Sequence, residues 1–126
     1  MEDFKGIYTE EERKKQKDRE LSKLLSLFDN ADQELRKRAA GLCHEAAFMR
    51  VMLYELRQII MRDGMIERYQ NGATQYGLKK SSAVELYDKT VSQYIKIMAQ
   101  INKLLPGVEY VDPAGREIIE FIMTGK

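Results

Sequence analysis

Leu35, Ala39, Leu42, Ala46, Met49, Leu53, Leu56 and Ile60 follow one another at alternating steps of four and three residues. That alternation gathers apolar side chains into one stripe on a helix, the pattern of helices packed at a shallow angle. Val84, Tyr87, Val91, Tyr94, Met98, Ile101 and Leu105 form a second seam by the same rule. Two matched seams with a connection of this length predict a long antiparallel helical hairpin. Ala39, Ala40, Ala46 and Ala47 let a neighbour come close to the first half of the leading seam.

The ends of the elements carry capping chemistry. Thr9 with Glu12 three residues on is a capping box, and Glu10 to Glu12 suit the positive end of a helix dipole. This first helix is expected to run to about Phe28. Its apolar face is confined to Leu21, Leu24, Leu25 and Phe28, so its charged first half is expected to project from the body or to bind something. Asp29 and Asn30 can cap the second helix, which ends near Asp63 with Gly64 as C-terminal cap. Met65, Ile66 and Tyr69 then flank Asn71-Gly72, with Tyr76 and Leu78 beyond, a block that admits a short β-hairpin. The third helix begins at Ser81 or Ser82, and Pro106-Gly107 stops it. After a short extended piece from Val108 to Val111, Asp112 caps a final helix with Pro113 at its first position and Ile118, Ile119 and Ile122 on its apolar face. The expectation is an all-α fold in a single domain, 1–126. It comprises a leader and charged helix (1–28), a hairpin core (30–106) and a C-terminal segment with a short helix (107–126).

No catalytic constellation stands out. His44 and Glu45 are adjacent, so they point to different helix faces, and the second histidine of a zinc-protease motif is absent. Gly72 and Gly77 read as turn glycines, not as a phosphate-binding loop. Cys43 is the one cysteine, which fits a reducing compartment and a small buried or interfacial hydrophobe. No metal, cofactor or enzymatic activity is expected. The N-terminus lacks the apolar region of a signal peptide, and no apolar run approaches a membrane span, so a soluble intracellular protein is expected.

Met49, Met98, Tyr87 and Tyr94 lie on the seams and are explained by core packing. Met52, Tyr54 and Met61 lie off the seam, where the first or last helix or a neighbouring subunit could cover them. Against 20 acidic residues stand 21 Lys and Arg, a formal net charge of +1 that does not by itself mark a nucleic-acid binder. Clustering matters more. Arg13, Lys14 and Lys15 lie on the first helix, Arg36, Lys37 and Arg38 open the second, and Lys79-Lys80 precede the third. The Arg36 triplet is the least balanced locally, and positive charge there opposes the helix dipole. A phosphate site would rationalise it, as would interaction with Asp32 and Glu34.

The block from Asn71 to Val84, followed by Glu85-Leu86-Tyr87 and closed by Leu104-Leu105-Pro106, resembles one branch of the small terminase subunits of tailed phages. In that family's pattern an Asn-Gly turn is followed by a lysine, by Ser-Pro-Ala-Val, and by a long Tyr-bearing helix ending at Leu-Pro. Asn71, Gly72, Lys79, Ser81, Ala83 and Val84 match, and Ser82 stands where the family has proline. The family's register makes Ser81 the helix cap; a capping box of Ser82 with Glu85 is the alternative. The resemblance covers roughly residues 35 to 106 and rests on structural residues. It implies a non-enzymatic subunit in viral genome packaging. Such a subunit recognises viral double-stranded DNA, assembles into a ring-like homo-oligomer, and controls the large terminase subunit in the host cytoplasm. Under that implication Arg36, Lys37 and Arg38 are the preferred DNA contacts, with Arg13, Lys14 and Lys15 second; Asn71, Gly72 and Ser81 serve the turn and cap. The competing expectation is a small helical regulatory module that binds protein rather than DNA.

Overall fold

The computed structural model describes residues 6–70, 72–73 and 75–105. These are mainly helical, with three helices and one two-stranded antiparallel sheet in the order α1 (Glu10–Ser26), α2 (Gln33–Asp63), β1 (Ile66–Gln70), β2 (Tyr76–Lys80), α3 (Ser82–Leu104). Helix α2 is the central element, and both α1 and α3 pack along it. The expected features beyond Leu105, namely the Pro106-Gly107 stop, the extended piece and the final helix, lie outside the described residues, as does Asn71.

Both seams enter the core. Ala39, Ala46, Leu53 and Leu56 of α2 are buried with Tyr87, Val91, Tyr94, Met98 and Ile101 of α3, and Leu35, Leu42, Met49 and Ile60 pack half-buried around them. Burying a Leu, Val, Ile or Met side chain of these seams stabilises by roughly 1.5–3 kcal/mol. Leu24 and Phe28 bring the end of α1 into the same cluster.

Caps fix the boundaries. Thr9 accepts from the Glu12 amide and Glu12 reaches back to the Thr9 amide, the expected capping box. The cap of α2 is Asp32, not Asp29 or Asn30: its carboxylate accepts from Leu35 N at 2.8 Å. The chain past Ser26 keeps tightening in turns, with Phe28 N on Leu25 O and Asp29 N on Ser26 O, so Asp29 and Asn30 belong to the end of α1. Gly64 closes α2 at φ 90°, its amide on Ile60 O.

The expected hairpin is present, but its strands are joined by residues 71–75, a longer connection than a two-residue Asn-Gly turn. Its root is tied to α3. Ser81 N donates to Met65 O at 2.8 Å, and Ser81 Oγ accepts from Val84 N at 3.1 Å, so Ser81 is the cap. Gly72 sits at φ 87°, a left-handed conformation that a β-branched residue resists. Gly72→Val is therefore expected to impair folding or assembly, and Ser81→Ala to cost about 1 kcal/mol. Unchanged melting temperatures in both variants would refute these roles.

Candidate nucleic-acid interface

The six basic residues that the sequence singled out fall into two groups at opposite ends of the α1–α2 pair. Thirteen residues of helix, about 20 Å of rise, carry the chain from Arg13 to Ser26, two residues before Phe28, beside which Arg36 lies. The structure does not bring the groups together.

Within each group the arginine nearest the helix pair is already engaged. Arg36 donates through Nε to Phe28 O at 3.1 Å and through Nη2 to Asp29 O, so its guanidinium closes the carbonyl end of α1. A cation there matches the negative end of that helix dipole. Arg13 forks onto the Glu55 carboxylate with both hydrogen bonds at 2.8 Å. The amides of Ile7 and Tyr8 also donate to Glu55, at 2.8 and 3.1 Å. The Arg13 fork first, then these amides, hold the Glu55 carboxyl down to about 2. Lys14 and Lys15 of the first group, and Lys37 and Arg38 of the second, are exposed. Lys37 lines a shallow cleft with Leu25, Phe28, Gln33 and Arg36.

These contacts revise the expectation for α1. Its charged half lies along α2 and does not project. Glu20 meets Arg50 at 3.0 Å with side-chain exposures of 10% and 1%, and Arg50 also donates to the Tyr54 hydroxyl at 3.1 and 3.0 Å. The local pattern missed Glu20, Arg50 and Glu55 as buried residues. A signal was present: Arg36, Cys43, Ala47, Arg50 and Tyr54 each lie one position past a seam residue, a second stripe on α2. Cys43 on that stripe is fully buried, and burial pushes its thiol up to about 11, so it is a packing residue with little thiolate at neutral pH. His44 is exposed.

The root of the ribbon has its own polar lock. Glu67 accepts from Ser82 N and Ser82 Oγ, each at 3.3 Å, and pairs with Lys79 at 3.3 Å. The Ser82 amide first, then Lys79, hold the Glu67 carboxyl below its ordinary value. Lys80 pairs with Asp88 at 3.4 Å. Residues directly opposed in the register share a face, so Ile66, Arg68, Gln70, Tyr76, Leu78 and Lys80 form one side of the ribbon. The Arg68 guanidinium lies 5.0 Å from the centre of the Tyr76 ring.

Apolar surface is concentrated nearby. Of ten large apolar side chains left exposed among the described residues, six fall between Met61 and Leu78: Met61, Met65, Ile66, Tyr69, Tyr76 and Leu78. An apolar cleft of about 240 Å³ opens between the end of α2 and the start of α3, lined by Arg57, Ile60, Met61, Met65, Val84 and Tyr87. Among the described residues no group of three or more His, Cys, Asp or Glu side chains is placed to hold a metal ion, and no helix is long and apolar enough to cross a membrane. Comparison with protein-family models, curated proteins and solved structures finds no match.

Proposed function

We propose that this chain is a phage small terminase subunit. In that role it is non-enzymatic, binds viral duplex DNA, assembles with copies of itself in the host cytoplasm, and regulates a large subunit that performs packaging. A long antiparallel helical hairpin, with α1 as a charged helix beside it, is the body this role uses. The carrying observation is what the family-like block does at the root of α3. Lys79 braces Glu67 beneath the helix start, Ser81 caps the helix, and Ala83 packs against the core. Lys79, Ser81 and Ala83, which match the family's pattern, thus brace, cap and pack the start of α3, and this supports the reading.

The apolar group around Met61, Met65, Ile66 and Leu78 supports assembly, because head-to-tail contacts in a closed ring bury such surface. The expected result is a homo-oligomer larger than a dimer by light scattering at micromolar concentration and moderate salt; a monomer mass would count decisively against it. The same surface favours one competing reading, a helical module that binds another protein and not DNA. A salt-dependent shift of duplex DNA separates the two. An oligomer that shifts DNA supports the terminase role, and a monomer or dimer indifferent to DNA supports the module.

A further inference from the structure

Helix α3 carries a second regular pattern on the side away from its seam. Lys89, Lys96 and Lys103 recur every seven residues, about 10.5 Å apart along the axis. A seven-residue repeat drifts only about 20° per step on a straight helix, so the three lie in one nearly straight row. All three are exposed, while Val91, Tyr94 and Met98 on the opposite side are buried. Between and beside the lysines the outward face holds Ser92, Gln93 and Gln100, all neutral hydrogen-bonding side chains.

The charge environment distinguishes this row from the other basic groups. From Lys89 through Leu105 the chain contains no Asp or Glu. The acidic residues of α3, Glu85 and Asp88, stand at its start, and Asp88 is engaged by Lys80. None of the three lysines forms an ion pair with another described residue. By contrast, Arg13 is committed to Glu55 and Arg36 to the end of α1. Among the described residues this row of like charges gains no ion pair, with Glu85 one turn before Lys89 as its nearest acidic neighbour on that face of the helix, and lysines at this spacing gain nothing from one another. It is complementary to a linear polyanion.

We infer that the outward face of α3 contacts the phosphate backbone of duplex DNA, with Lys89, Lys96 and Lys103 as the charge contacts and Gln93 and Gln100 as hydrogen-bond donors between them. Lysine is a suitable point charge for this task, and amide side chains are ordinary phosphate donors. The contacts carry no base information, so they add sequence-independent affinity. This inference rests on the DNA-binding reading above and names where the chain meets DNA; the Arg36 triplet is not required for it.

The test uses the full chain and a 30-base-pair duplex of random sequence, with affinity measured from 50 to 300 mM salt. The triple variant Lys89→Gln, Lys96→Gln, Lys103→Gln keeps good helix formers at exposed positions. Each neutralised phosphate contributes about 0.9 to the log–log salt slope, so the variant is expected to show a slope shallower by about two to three units and an affinity weaker by on the order of 10²-fold at 100 mM salt. Its melting temperature and mass should equal those of the wild type. DNA bound to the wild type should also shield these three lysines from acetylation, read by mass spectrometry; that measurement decides the matter should the variant prove unstable. A triple variant with the wild-type slope and affinity, or equal acetylation with and without DNA, overturns this inference and leaves the DNA-binding reading standing. A wild-type chain that binds no duplex at 50 mM salt overturns both.

Discussion

Arg50→Ala is expected to destabilise the protein by about 3–5 kcal/mol, the usual cost of removing one member of a buried ion pair. The Arg50 side chain is 1% exposed, and it meets Glu20 at 3.0 Å and the Tyr54 hydroxyl through two hydrogen bonds. Its removal leaves the Glu20 carboxylate, itself 10% exposed, at the α1–α2 contact with only the half-exposed Lys23 at 3.7 Å to face. The double replacement Glu20→Leu with Arg50→Leu should recover most of that loss. Two apolar side chains need no compensation for desolvation, so the pair is a device for seating α1 more than a source of net stability. Urea unfolding of the two variants against the wild type measures both effects. A cost below about 1 kcal/mol for Arg50→Ala would mean that water reaches the pair and that α1 is seated by its other contacts, Leu24, Phe28 and the Arg13–Glu55 fork.

The second large effect depends on pH. Glu55 titrates at about 2 in the folded chain against an ordinary 4.5. The folded state thus binds the proton less readily than the unfolded state. Stability from this carboxylate is complete above pH 4.5 and is lost as pH falls toward 2. Arg13 is 42% exposed, so solvent screening reduces the gain to about 1–2 kcal/mol. Glu55→Gln should lose that amount at pH 7 and show a shallower decline of stability between pH 4.5 and 2. The amides of Ile7 and Tyr8, which donate to this carboxylate, should exchange faster in the variant, while those of α3 should not. Parallel loss of stability in wild type and variant across the acid range would remove Glu55 from this role.

Local patterns determined much of this protein. The four-three steps of the two seams, the Thr9–Glu12 box, Gly64 and Ser81 are short-range signals. A helix repeats every 3.6 residues and its ends must satisfy free amides and carbonyls within one turn, so nearby residues carry the information. The row Lys89, Lys96, Lys103 is also written in the sequence, although only the burial of Val91, Tyr94 and Met98 shows that it faces outward. The tertiary structure decided what the charges do. Arg13 and Glu55 are 42 residues apart in sequence, and Arg36 reaches back eight residues to Phe28 O. No local pattern distinguishes such side chains from a solvated face, because a charged residue looks the same in sequence whether water or a distant partner satisfies it. Packing α1 along α2 settled the question: it removed water from Glu20, Arg50 and Glu55 and supplied a partner to each, and it left Lys14, Lys15, Lys37 and Arg38 in solvent.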